Sequence, residues 1–223
     1  MPLEEGSIFN EIYKISTTLG KGTIGDTYLL ERIEDNKKFV LKELNFLEES
    51  GSTENAARDI FFRQSDFMKK CNHPGLPQTY EGIFNKNGQD YIIMDYVEGK
   101  NLEEIINSSS SPLSLDEAVK WTIKLSEILG YLHTSFHTTI IHRNIKPSNI
   151  IITPEGSVKL VDFGVVRYYK PDKETDTLRF GVPGYAAPEQ YKGGGQSTPQ
   201  SDIYSLGVIL FQMLTKYDPT ERP

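Results

Sequence analysis

The hydrophobic pattern of this chain changes period once, and that change limits the folds open to it. From Tyr13 to Tyr96 it runs in short alternating segments, YKISTTLGKG, DTYLLERI, KKFVLKEL, TYEGIF and DYIIMDYV, with turn residues between them. Alternation at period two marks half-buried strands. The stretch Asn55 to Asn72 interrupts it with helical spacing, which lets Ile60, Phe61, Met68 and Cys71 share a face before His73-Pro74-Gly75 ends the run. After Gly99 the period becomes mostly helical. Leu102 to Asn107 comes first and an NSSSSP loop follows. Then come Ser114 to His133, with Ser114 and Glu117 placed for a capping box, two short strands around Ile150 and Val158, and a last helix near Asp202 to Leu214. The pattern predicts an α+β, two-lobed chain. Residues 13–96 form an N-terminal antiparallel β-sheet lobe with one helix, and residues 97–223 form a mainly helical C-terminal lobe that ends shortly after the helix containing Asp202.

Composition narrows the class of partner. A net charge of -7 argues against a nucleic-acid surface, and no basic stripe is visible. The most apolar late segment, Ile203 to Leu214, is too short and interrupted to cross a bilayer, and the acidic N-terminus has no apolar run. The single cysteine, Cys71, cannot form an intrachain disulfide and sits in a helical pattern, which reads as a buried, inert thiol in a reducing, cytoplasmic location.

Five motifs carry chemistry. The run LGKGTIGDTY puts Gly20, Gly22 and Gly25 in a turn between two predicted strands, where backbone N–H groups approach phosphates closely because no Cβ intrudes. Alone, such a run is as well explained by a flexible hairpin. Lys42 ends the strand FVLK, seventeen residues after Gly25, and alone it would be a solvated charge. His142 to Asn149 reads HRNIKPSN, then come Asp162-Phe163-Gly164 and Ala187-Pro188-Glu189. Each has an ordinary reading as a turn or surface residue, but their order across the chain does not.

With these residues in order, the chain resembles the protein kinase superfamily, most of all the bacterial eukaryotic-like serine/threonine kinases, from Tyr13 to the C-terminus. The resemblance implies ATP and Mg²⁺ as cofactors, with a protein substrate or signalling partner. It places adenine between Thr27 and Val40 on one side and Ile151 on the other, with Met94 as gatekeeper and the backbone of Asp95 and Val97 offering hydrogen bonds. It gives Lys42 the nucleotide phosphates, Lys146 the transferred phosphate, and Asn149 and Asp162 the metal. Asp202 would anchor the catalytic loop, and Met68, Phe163 and His142 would stack in an apolar spine. Thr175 and Thr177 lie between DFG and APE, where Arg143 is the type of group that captures a phosphothreonine, and they read equally as ordinary surface threonines.

The departures from the family fall on catalysis. The third residue of the HRNIKPSN loop is an Asp in kinases and accepts the substrate hydroxyl's proton. Here it is Asn144, whose amide orients a hydroxyl but has no basic site near neutral pH. The helix glutamate expected to pair with Lys42 falls at Gln64, and the activation-segment Thr falls at Val182. Thr27 replaces the usual Val of the glycine loop. Asn144 alone is equally an introduced inactivating change, whereas the departures together read as natural decay. The chain ends at Pro223, so the apolar face Ile203, Leu206, Ile209 and Leu210 is expected to lack part of its cover, as in a fragment or a form completed by a partner. Three functional readings follow: an impaired kinase or pseudokinase in signalling, a working serine/threonine protein kinase, and a small-molecule phosphotransferase, the last disfavoured by the intact APE segment.

Overall fold

The alternating half of the chain forms one antiparallel sheet. The computed structural model describes residues 3–21, 25–44, 54–86, 89–163, 165–172, 175–176, 181–191 and 195–221. It divides into two units, Met1–Asn72 with Pro77–Tyr96 and His73–Leu76 with Val97–Pro223.

In the first unit the strands are β1 (Ile8–Phe9), β2 (Tyr13–Lys21), β3 (Gly25–Arg32) and β4 (Lys38–Leu44). The helix α1 (Glu54–Lys70) follows, then β5 (Thr79–Lys86) and β6 (Gln89–Asp95). They pair in the order β1-β2-β3-β4-β6-β5. One face of the sheet is closed by Phe9, Tyr13, Ile15, Tyr28, Leu30, Phe39, Leu41, Tyr91 and Ile93. Each such side chain contributes about 1.5–3 kcal/mol when fully buried, so the alternation itself fixes the register. Glu43 lies on this same apolar face, 4% exposed, and accepts hydrogen bonds from the hydroxyls of Tyr28 at 3.2 Å and Tyr91 at 3.3 Å. Helix α1 packs on β5 and β4 and buries Phe61, Gln64, Ser65, Phe67, Met68 and then Cys71, so the predicted apolar stripe carries two polar residues as well. The side chain of Ile60 lies outside the described residues. Burial pushes the Cys71 thiol pKa up to about 12.

The second unit runs β7 (Lys100–Asn101), α2 (Leu102–Ser108), α3 (Leu115–Thr134), β8 (Ile140–Ile141), β9 (Ile150–Ile152), β10 (Val158–Leu160), β11 (Arg167–Tyr168) and α4 (Pro199–Thr215). Helix α2 starts at a capping box between Asn101 and Glu104 that the sequence reading passed over. At α3 the Ser114 hydroxyl accepts from the Glu117 N–H at 3.3 Å and donates to its carboxylate at 2.6 Å, so only half of the expected box forms. Helix α4 begins three residues before the expected Asp202, because Pro199 fits the first turn, where its missing N–H is no loss. Its apolar face is covered in part, as expected: Leu206 and Ile209 are buried, Leu210 is half-buried and Ile203 is 52% exposed. The two-residue strands β1, β7, β8 and β11 were not anticipated, being too short to show a period. His73–Leu76 belongs to this unit, with the Leu160 N–H on the Gly75 carbonyl at 2.9 Å and the His73 ring 4.9 Å from that of Tyr131. Among the described residues no helix is long and apolar enough to cross a membrane.

Candidate functional site

In the first unit, strand register gathers the predicted nucleotide-side residues. Thr27 pairs with Lys42, Val40 pairs with Met94, and Val40 and Lys42 are two apart on β4. All four therefore emerge on one sheet face, opposite the face closed by Phe39, Leu41 and Glu43. Lys42 Nζ donates to Gln64 Oε1 at 3.2 Å, so α1 is tied to β4 by a neutral acceptor where a carboxylate was expected by the family pattern. Gln64 is 1% exposed, and its Nε2 lies 3.9 Å from the Met68 sulfur. The Asp95 N–H is bonded to the Gln78 carbonyl at 2.9 Å.

The glycines divide in role. Gly20 and Gly25 lie within β2 and β3 rather than in the turn the sequence suggested, and Gly22 lies outside the described residues. A Cβ at Gly25 would collide with the Glu43 carbonyl, so that glycine is needed for β3 to approach β4. A Cβ at Gly20 would meet nothing within 4 Å, which leaves the approach to that backbone open.

In the second unit, the loop His142–Asn149 hangs from α4. The Asp202 carboxylate, fully buried, accepts the backbone N–H groups of His142 at 2.9 Å and Arg143 at 2.8 Å, and His133 Nε2 at 2.9 Å. Arg143 adopts φ 65° and Asp162 φ 63°, left-handed conformations that cost non-glycine residues energy and are retained where the surroundings enforce them. The His142 ring meets Phe163 edge-on at 4.9 Å, and burial lowers the imidazole pKa, so the ring is a neutral packing element.

Three of the predicted catalytic and metal residues converge. Asn144 Nδ2 donates to Asp162 Oδ2 at 3.2 Å, and Asn149 Nδ2 donates to the Asn144 carbonyl at 2.9 Å. The Asn149 carbonyl in turn accepts the Val161 N–H at 2.8 Å, which fixes the loop against the strand leading to Asp162. Lys146 is half-buried at the start of the turn Pro147–Asn149, and Ile151 sits in β9 beside Gly99, whose φ of 151° brings it against the Ile152 carbonyl. Val97 precedes that turn, half-buried.

The donor set fits Mg²⁺ in one mode only. Among the described residues no three His, Cys, Asp or Glu side chains stand together to hold a metal by themselves. One carboxylate, Asp162, and one amide, Asn149 with its NH₂ already engaged on Asn144, offer hard oxygen donors of the kind that bind Mg²⁺ together with substrate phosphates and water.

Sequence reasoning missed the residues that brace this loop from a distance. Gln190 Nε2 donates to the Arg143 carbonyl at 2.9 Å while its Oε1 accepts the Ala187 N–H at 3.0 Å, so the APE segment is tied directly to the loop. Glu189 accepts the Ser201 hydroxyl at 2.5 Å. Asp176 contacts Arg143, where Thr175 or Thr177 had been expected to act; Thr175 is exposed and Thr177 lies outside the described residues. Lone Gln, Asp and Ser residues in a loop carry no period, so no sequence signal would have found them.

Comparison with known proteins agrees with this geometry. Residues 13–223 match the family model described as "Protein kinase domain". The chain is 32% identical over 97% of its length to the protein described as "Probable serine/threonine-protein kinase PknB" of Lactococcus lactis, and 33% identical over 91% of its length to the serine/threonine-protein kinase PrkC of Bacillus subtilis. It is 32% identical over 88% of its length to the serine/threonine-protein kinase Nek1 of Mus musculus. It spans 34%, 30% and 16% of those three proteins, respectively.

Proposed function

Because this chain belongs to the protein kinase family, we propose that it binds ATP with Mg²⁺ and is impaired in transferring the terminal phosphate, acting in signalling through the nucleotide-bound fold. In this reading the face bearing Thr27, Val40, Lys42 and Met94 packs on the nucleotide together with Ile151, and the backbone of Asp95 and Val97 bonds the base. Lys42 and Lys146 contribute positive charge toward phosphate oxygens. Asp162 and Asn149 would hold Mg²⁺, which when bound neutralises charge on the phosphates. The glycine run, with Gly20, Gly22 and Gly25, would cover them.

The observation that carries the impaired reading is the Asn144 side chain, which donates its amide to Asp162 at 3.2 Å. A carboxylate at position 144 would accept a hydroxyl proton; the amide has no basic site to take it, and here it is engaged with the metal-side carboxylate instead. The scaffold around it supports a second reading, an active serine/threonine kinase. The loop is fully anchored on Asp202 and Gln190, and phosphoryl transfer depends mostly on positioning.

Titration of ATP with and without Mg²⁺ tests the binding half. A ligand at a hundredfold excess over its Kd stabilises the fold by about 2.7 kcal/mol. Absence of any melting shift or calorimetric heat would exclude nucleotide binding. Labelled-phosphate transfer to a peptide library tests the other half: turnover of the unaltered chain at about 1–100 s⁻¹ would establish the active reading.

A further inference from the structure

A buried carboxylate sits where the kinase reading leaves room for a phosphate. The Asp176 side chain is 6% exposed, with Oδ2 3.4 Å from Arg143 Nη1, and Arg167 Nη1 pairs with its other oxygen. Arg143 and Arg167 side chains are themselves 7% and 11% exposed. Asp176 Oδ2 also accepts the Ser197 N–H at 3.1 Å and the Ser197 hydroxyl. Arg143 is held from its other side, donating Nε to the Val165 carbonyl at 2.8 Å. One carboxylate thus joins four stretches of chain: the loop bearing Asn144, β11, residues 175–176, and the turn that starts α4.

The energetics make this a clamp and not an incidental surface pair. Exposed ion pairs contribute about 0–1 kcal/mol, but removing one partner from a buried set leaves uncompensated charge and is far more disruptive. Here removal would take away the carboxylate that both buried guanidinium groups pair with and the acceptor of two Ser197 donors. The Arg143 backbone is also the peptide that Asp202 and Gln190 fix, so its guanidinium is aimed by the same scaffold that positions Asn144.

We infer that Asp176 is a positioning residue that fills this two-arginine anion site with the chain's own carboxylate and so holds β11 and residues 175–176 against the loop bearing Asn144 without phosphorylation. The inference rests on the kinase reading for its functional meaning. A phosphate on Thr175 would have to displace Asp176 to reach Arg143, so phosphorylation adds little order that is not already built in.

The test uses the full chain, treated with phosphatase and shown by mass to be unphosphorylated. Hydrogen exchange is followed over residues 165–172 and 181–191, with ATP affinity measured in parallel. The unaltered protein is expected to be protected in both windows. Asp176→Asn should speed exchange there about tenfold or more, Asp176→Glu should restore most of the protection, and inorganic phosphate should restore protection in Asp176→Gly while leaving the unaltered protein unchanged. In an Asn144→Asp background, Asp176→Asn should raise peptide KM with ATP affinity unchanged. Equal protection in Asp176→Asn and the unaltered chain would overturn the inference. So would unaltered chain that is unprotected until Thr175 or Thr177 is phosphorylated, a comparison that needs no variant and stands even if Asp176→Asn fails to fold. Loss of ATP binding in the unaltered chain would refute the nucleotide-binding function and leave the exchange result on Asp176 readable.

Discussion

Lys42 Nζ and Gln64 Oε1 are 3.2 Å apart, a side-chain hydrogen bond that joins β4 to α1 without neutralising the lysine. The bond is charge-assisted from the lysine side alone, and an ionised acceptor would add an ion pair to it. Gln64→Glu should slow hydrogen exchange across α1 by several-fold, corresponding to about 1 kcal/mol. Faster exchange in the variant would mean that burying a carboxylate at a position 1% exposed outweighs its attraction to Lys42.

That pairing was legible through the family resemblance, which puts the helix residue facing the strand lysine at Gln64 when counted back from His73-Pro74. The strands carrying Thr27, Val40, Lys42 and Met94 were legible by their alternation, whereas the grouping of those four residues came from the resemblance. The anchoring of the loop by Asp202 also came from the resemblance. Asp176, Gln190 and His133 did not, since each acts across 21 to 69 residues of intervening chain through a single polar side chain. Nor did the role of Gly25, which a motif reading assigns to phosphate and the packing assigns to the Glu43 carbonyl.

Glu43 makes stability depend on pH in an unusual direction. Burial raises its pKa above the ordinary carboxylate value, and the Tyr28 and Tyr91 hydroxyls offset this only in part. Between the unfolded value and the raised folded value, the folded state binds more protons than the unfolded one, so this group's contribution to stability falls as pH rises through that window. Above it the full cost of a buried charge persists. Glu43→Gln keeps the shape and an oxygen acceptor for a tyrosine hydroxyl. It should raise the melting temperature at pH 7 to 8, with the advantage shrinking to nothing below about pH 4, where Glu43 is protonated in both states. A melting difference independent of pH would show that the Glu43 pKa is the same in the folded and unfolded states.

The three N–H groups on Asp202 give a prediction about the loop alone. An amide at that position offers one acceptor oxygen and presents an NH₂ to donors that need an acceptor. Asp202→Asn should therefore leave a buried backbone N–H of His142 or Arg143 unsatisfied and destabilise the chain by about 1–3 kcal/mol, read by urea unfolding. Exchange at residues 142–149 should rise more than exchange in β2 to β4. A uniform change across both regions would place the damage in α4 packing instead of the loop.

In the proposed reading, Asn144 decides how far the chain is from catalysis. If the missing base is the main defect, Asn144→Asp should raise phosphate transfer to a peptide by about 10²-fold or more, since general-base catalysis contributes about 10²- to 10⁴-fold. The new carboxylate would also stand about where the Asn144 amide now meets Asp162 at 3.2 Å, two like charges that repel unless a cation lies between them. The gain should therefore appear only with Mg²⁺ present, and Mg²⁺ should raise the melting temperature of Asn144→Asp more than that of the unaltered chain. If decay is wider, the single change gives little. The triple variant with Gln64→Glu and Val182→Thr then exceeds the product of the single effects, because groups acting as one catalytic unit are not additive. Rates that multiply simply across the three substitutions would show that Lys42, Asn144 and the activation segment act independently in this chain.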